Sequence, residues 1–153
     1  MTETAQVRLV PMRAEHIDAL LPYERQMFGT EAWTRGGYRA ELADTRHRTY
    51  LAAEASDGAL LGWAGVRVVA DEAEILTVGV VPSARRRGIA RMLLAALLDI
   101  ARQRGARTAY LEVRMDNEAA RSLYASEGFA ELGVRPGYYD AGRADAVVMS
   151  RAL

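Results

Sequence analysis

A chain of 153 residues that is 50% hydrophobic and 26% charged has the makeup and length of one ordinary globular domain, so residues 1–153 are expected to fold as a single unit. It contains no cysteine, which excludes a disulfide framework, a thiol nucleophile and a zinc–thiolate centre together. Basic and acidic residues balance at 20 each, so no net field recruits nucleic acid; every cation is Arg, a skew that together with the many alanines reads as GC-rich codon usage.

Residues 1–8 alternate polar and apolar, without the basic start and apolar run of a secretory leader, which makes the cytoplasm the expected location. Residues 7–10 read as a strand, and residues 14–27 as a helix with Ile17, Leu20, Leu21 and Glu24 at helical spacing. Residues 28–37 hold Gly29, Gly36 and Gly37 around Trp33, too much glycine for a regular element, so a mobile loop is expected there and a second short helix over 38–44. Residues 50–55 and 60–70 form a hairpin about Ser56-Asp57-Gly58, because Asp-Gly supplies the dihedrals of a tight turn. Residues 74–81 are a further β-rich run, closed by Pro82.

Residues 89–104 are the clearest helix, with Leu93, Leu94, Leu97 and Ile100 on one stripe and Gly105 as the stop. The greasy part, 89–101, is interrupted by Arg91 and Asp99 and is too short to cross a bilayer. Residues 108–113 follow as a buried strand, 117–126 as a helix capped by Asn117 or Asp116 and ended by Gly128, and 130–134 and 146–152 as closing strands. The sheet is therefore mixed, with helices as crossovers.

Between strand and helix stands R-R-R-G-I-A, residues 85–90. A helix start directs unpaired N–H groups and the positive end of the helix dipole at one spot, which suits an anion. Gly88 allows close approach, and Arg85, Arg86, Arg87 and Arg91 add guanidinium groups whose planar form matches phosphate. A Walker loop is excluded because no Gly-Lys-Ser/Thr follows, and the dinucleotide fingerprint because one glycine of it is present. On these six residues alone, a plain solvated helix start is an equal reading.

The context decides. V-G-V-V-P-S-A-R-R-R-G-I-A (78–90) resembles the acetyl-CoA motif of the GNAT superfamily of N-acetyltransferases. Y-L-E-V-R-M-D-N-E-A-A-R-S-L-Y-A-S-E-G-F (110–129) is similar to the second half of the site in RimI-type acetyltransferases, which modify the N-terminal alanine of a small-subunit ribosomal protein. R-P-G-Y-Y-D-A-G-R-A-D-A-V-V-M (135–149) resembles RimI and the wider group of N-terminal amine acetyltransferases, whose tandem tyrosines line the peptide slot.

The resemblance implies the GNAT fold, an α/β (α+β) architecture with a mixed, mostly antiparallel sheet of six to seven strands and about four helices. It implies acetyl-CoA as co-substrate, with no metal. The main chain of Val78, Gly79 and Val80 would hold the pantetheine arm, at a bulge that Gly79 suits, and Arg85, Arg86, Arg87, Gly88, Ile89, Ala90 and Arg91 would hold the pyrophosphate. Asn117 is either a helix cap or, by resemblance, a cofactor contact. Tyr138 and Tyr139 would line the slot for a protein or peptide N-terminus, possibly a ribosomal one, with no nucleic acid or membrane as partner. F-G-T-E-A-W-T (28–34) is longer than the family's short loop, and Trp33 in it is a substrate wall or a buried plug.

Attack on a thioester needs a neutral amine, which a chain terminus of pKa about 8 supplies at neutral pH far more readily than a lysine. Glu112, on the buried strand among apolar neighbours, is the candidate general base, strengthened by partial desolvation and acting through water; the bland alternative is a carboxylate paired with an arginine. Tyr124, matching the tyrosine of RimI-type enzymes, is the candidate general acid toward the CoA thiolate; the alternative is a core tyrosine. His16 and His47 have no partner pattern and are assigned nothing. Two other functions stay open: acetylation of a small-molecule amine, and CoA binding without chemistry.

Overall fold

Seven strands and four α-helices are set along residues 6–153, which the computed structural model describes. The expectation that residues 1–8 carry no leader falls chiefly on residues 1–5, which lie outside the described residues. The strands are β1 (Arg8–Pro11), β2 (Arg48–Glu54), β3 (Leu60–Val69), β4 (Glu72–Val80), β5 (Thr108–Arg114), β6 (Ala130–Tyr139) and β7 (Ala144–Ala152). The helices are α1 (Ala14–Phe28), α2 (Arg35–Ala43), α3 (Ile89–Gln103) and α4 (Glu118–Ser126). They build one sheet of order β1-β2-β3-β4-β5-β7-β6, antiparallel throughout except where β5 lies parallel to β4. This is the mixed, mostly antiparallel sheet with four helices that the resemblance implies.

Helix α3 forms because its apolar residues recur at helical spacing, burying Ile89, Leu93, Leu94, Leu97, Leu98 and Ala101 against β3 and β4. Each such aliphatic side chain contributes about 1.5–3 kcal/mol on burial, and Gly105, at φ +92°, ends the helix at little steric cost. Helix α1 packs on β3, and its start is clipped to β2 by a buried histidine. The Arg13 N–H donates to His16 Nδ1 (2.9 Å), so Nε2 carries the proton and donates to Glu54 Oε2 (2.5 Å); Arg8 and Arg13 pair with the same carboxylate at 3.3 Å.

That cluster has a pH signature. The His16 hydrogen bond, with the Arg13 and Arg8 charges, holds the Glu54 carboxyl below the usual carboxylate range, against the cost of its burial. A folded value below the unfolded one means stability that is present above about pH 4.3, the unfolded value, and lost as pH falls through the folded one. Urea midpoints are therefore expected to decline on acidification below about pH 5, and Glu54→Gln to flatten part of that decline; an identical acid slope in the variant would remove the cluster from the explanation.

Three local expectations need correction. The glycine-rich stretch is not a loop to residue 37: α2 begins at Arg35, with the Gly37 N–H donating to the Thr34 hydroxyl (3.0 Å) as an N-cap, and the burial of Tyr38 (0% exposed) offsets the helix cost of two glycines. The bulge of β4 is not at Gly79. It falls at Leu76, since Gly65 faces Thr77 while Val66 faces Ile75, and Gly79 pairs regularly with Trp63. Glycine stands at 79 for another reason: a Cβ there would lie 2.5 Å from the Trp63 ring. Finally, β6 continues past residue 134 to Tyr139, through a register shift between Arg135 and Tyr139, because Pro136 lies on an edge strand where a missing N–H is tolerated.

Gly79→Ala thus overfills a packed contact with a ring that is 0% exposed. It is expected to cost about 1–3 kcal/mol, read as a lowered urea midpoint at unchanged slope; a midpoint equal to that of the parent chain would refute the packing account.

Candidate active site

Strands β4 and β5 are paired only at Glu72–Thr108, Ala73–Ala109 and Glu74–Tyr110. Beyond these pairs they splay, and the gap opens into a cavity of about 530 Å³ walled by Ile75, Thr77 and Val78 on one side and by Leu111, Glu112 and Arg114 on the other. A second recess of about 300 Å³ lies toward the start of α3, lined by Val78, Val80, Arg85, Arg86, Gly88 and Ala90 among others. The two spaces share Met27, Val78, Ala120 and Tyr124. They adjoin as one trough, and Tyr124 stands where they meet.

The recess presents backbone donors and cations, a chemistry that suits an anion. Gly88 precedes α3 in the left-handed region (φ +76°) and offers no side-chain cap to the helix. The first bond back to the turn is from the Met92 N–H to the Gly88 carbonyl, which leaves the N–H groups of Ile89, Ala90 and Arg91 without a partner inside the helix. Arg86 is also left-handed, at φ +65°, the alternation that makes concave anion-binding turns. A Cβ at Gly88 meets nothing within 4 Å, so the space over the turn is open. Arg85 and Arg86 line it; Arg87, partly buried, does not, and Arg91 lines it while pairing with Glu127 (2.5 Å). Val78 and Val80 face the recess, whereas Gly79 does not line it.

Between the two spaces, Tyr124 is 8% exposed and packs edge-on against Phe129 at 6.0 Å. Burial alone pushes its hydroxyl up to about 12, so it stays protonated at neutral pH. Glu112 stands on the cavity wall, but not among apolar neighbours alone as the sequence suggested: Oε1 pairs with Arg135 (3.0 Å), while Oε2 is buried without a hydrogen-bond partner. The arginine comes from β6, 23 residues further on. Asn117 caps α4 through the Ala120 N–H (3.1 Å) and also lines the cavity.

Trp33 lines the cavity and packs on Tyr38 at 5.1 Å. Of the tandem tyrosines only Tyr139 reaches the wall, its hydroxyl pushed up to about 12 by burial and then by the Glu112 charge. Tyr138 stays outside it, 48% exposed beneath the Arg135 guanidinium, 4.5 Å from the ring centroid.

Three lining carboxylates were missed, Glu24, Glu31 and Asp140. Glu24, 2% exposed, accepts from the Tyr38 hydroxyl (2.5 Å) and the Trp33 N–H (3.2 Å), and burial pushes its carboxyl up against these bonds. Its place on the stripe of Ile17, Leu20 and Leu21 is the signal: a carboxylate on a buried helix face has partners. Glu31 accepts from the Asp140 N–H (2.5 Å) and lies 3.7 Å from Arg114, tying the Gly29–Glu31 turn to the β6–β7 connection. No sequence spacing announces that pairing.

Residues 15–129 match the family model described as Acetyltransferase (GNAT) family. The chain belongs to the GNAT family. It is therefore an acetyl-CoA-dependent acetyltransferase. This GNAT chain is 44% identical to the N-alpha-acetyltransferase RimI of Mycobacterium tuberculosis over 84% of its own length and 81% of the relative's. It is 41% identical to an uncharacterized Mycobacterium leprae protein over 88% of its length but spans only 38% of that relative. The crystal structure of a ribosomal-protein-alanine N-acetyltransferase from Escherichia coli superposes with a TM-score of 0.82 at 29% identity, over 95% of this chain and 93% of that one. No helix among the described residues is long and apolar enough to cross a membrane, and no group of three or more His, Cys, Asp or Glu among them is placed to hold a metal ion.

Proposed function

We propose that this chain transfers acetyl from acetyl-CoA to the N-terminal α-amine of a protein, with the N-terminal alanine of a ribosomal protein as the leading acceptor, by direct attack while both substrates are bound. The observation that carries the reading is the trough: a recess over the unpaired N–H groups of α3 and a second cavity, adjoining at Tyr124, with Glu112 on the wall of the second. The names borne by the relatives support the acceptor class.

In this reading Arg85, Arg86, Gly88, Ile89, Ala90 and Arg91 hold the pyrophosphate, Arg87 supplies charge from behind the turn, and the main chain of Val78, Gly79 and Val80 holds the pantetheine arm. Asn117 adds a cofactor contact to its role as cap. Trp33 and Tyr139 wall the acceptor space and Tyr138 guards its approach. Bound acetyl-CoA supplies an activated thioester, and the absence of cysteine leaves no thiol to carry the acetyl group between substrates. A new N–C bond forms, the C–S bond breaks, and the proton released by the amine passes through water to Glu112.

Tyr124 faces the departing sulfur. A hydroxyl at about 12 holds its proton more tightly than a thiol of pKa about 8.5, so Tyr124 stabilises the developing thiolate by donating a hydrogen bond to it rather than by full transfer.

The test is incubation of acetyl-CoA with a peptide that starts with alanine and carries an internal lysine, followed by fragmentation mass spectrometry. Label confined to the N-terminal nitrogen is expected. Label only on the lysine would sink the terminal-amine assignment, and turnover of a polyamine with no peptide turnover would replace it by the small-amine reading.

A further inference from the structure

Two segments far apart in the chain wall the acceptor cavity and meet at one side chain. Phe28, Gly29, Thr30 and Glu31 line it from the end of α1 and the turn that follows, and Tyr139 and Asp140 line it from the connection between β6 and β7. Glu31 Oε1 accepts from the Asp140 N–H at 2.5 Å. Its Oε2 accepts from the Thr30 hydroxyl at 3.0 Å and lies 3.7 Å from the Arg114 guanidinium. Arg114 is itself fixed by both oxygens of Asp116 at 3.0 Å and stands 5.9 Å from the Tyr139 ring centroid. Among the described residues no main-chain hydrogen bond joins the two segments, so the polar link between them runs through Glu31.

The receiving end of that link is a turn of uncommon backbone. Asp140 and Ala141 are both left-handed, at φ +54° and +53°, a conformation that a non-glycine residue keeps only where its surroundings hold it. A charge-assisted hydrogen bond to the Asp140 N–H is such a hold, and it comes from the other wall segment rather than from the turn itself.

We infer that Glu31 is a specificity-determining latch: by fastening the Gly29–Glu31 turn to Asp140 it holds the acceptor cavity closed between these two segments, so that an amine is admitted at the end of a chain and not on a lysine in its middle. The inference deepens the terminal-amine reading and rests on it. A chain terminus brings main chain to the cavity on one side of its amine, whereas an internal lysine brings it on two and needs the walls further apart. With the latch gone, the turn after α1 and the β6–β7 connection separate, the hold on the peptide weakens and lysine gains entry.

The test uses the alanine-starting peptide with an internal lysine, saturating acetyl-CoA, and the variants Glu31→Ala and Glu31→Gln. Glu31→Ala is expected to raise the peptide KM and to lower the ratio of N-terminal to lysine label, each roughly 10- to 100-fold, the factor that a hydrogen bond to a charged group supports, with affinity for acetyl-CoA unchanged. Glu31→Gln keeps an acceptor for the Asp140 N–H without the charge facing Arg114, and should fall between. The Glu31 side chain is 24% exposed, so both variants are expected to fold. A merely structural glutamate would lower the urea midpoint and leave the label ratio alone; an unchanged ratio in both variants, whatever the urea midpoint, overturns the latch while the terminal-amine reading stands. Lysine label already dominant in the parent chain overturns both.

Discussion

Tyr124→Phe is expected to leave a well-folded protein that binds acetyl-CoA normally and turns over roughly 100- to 1,000-fold more slowly, the range seen when one preorganised donor to developing negative charge is removed. Among the described residues the Tyr124 hydroxyl makes no hydrogen bond, so no protein acceptor there is left unpaired by its removal, which leaves stability nearly unchanged or slightly raised. The ring remains edge-on to Phe129. Activity and stability should therefore separate: urea midpoint held, kcat lost. Undiminished kcat in Tyr124→Phe would take the residue out of the chemistry and return it to the core.

Gly88→Glu is expected to weaken acetyl-CoA binding more than 100-fold, which corresponds to about 2.8 kcal/mol or more. A left-handed non-glycine residue costs about 1–2 kcal/mol, but a Cβ there meets nothing within 4 Å, so the fold survives. The added carboxylate then sits where the unpaired N–H groups of α3 begin, favourable for the helix and repulsive to a phosphate. Gly88→Ala separates the two effects, since it carries the backbone cost without the charge and should lose far less affinity. Calorimetric titration checks both variants; normal affinity in Gly88→Glu would place the cofactor elsewhere.

Elements set by local pattern were legible in the sequence. The α3 stripe, the β2–β3 hairpin turn and the strand-turn-helix around Arg85–Ala90 depend on neighbours within one or two turns of chain, and each lies where periodicity and glycine placement put it. What was misread depends on distant partners. Gly36 and Gly37 enter a helix because Tyr38 is buried under Trp33 and Tyr50, and Gly79 is required by Trp63, 16 positions earlier in the chain and its partner in the register. Glu112 looked like a carboxylate in apolar surroundings because Arg135 approaches from another strand. The trough itself could not be read from any motif, since it arises from β4 and β5 parting after three paired residues.

The placement of the cofactor in that trough is the central claim, and the crystal structure of the protein with acetyl-CoA bound tests it most directly. The expected result has the pyrophosphate on the N–H groups that follow Gly88, the pantetheine arm along Val78 to Val80, and the sulfur within hydrogen-bond reach of the Tyr124 hydroxyl, with the acetyl group entering the cavity walled by Glu112. A pyrophosphate bound away from Gly88, or a sulfur beyond reach of Tyr124, would contradict the account.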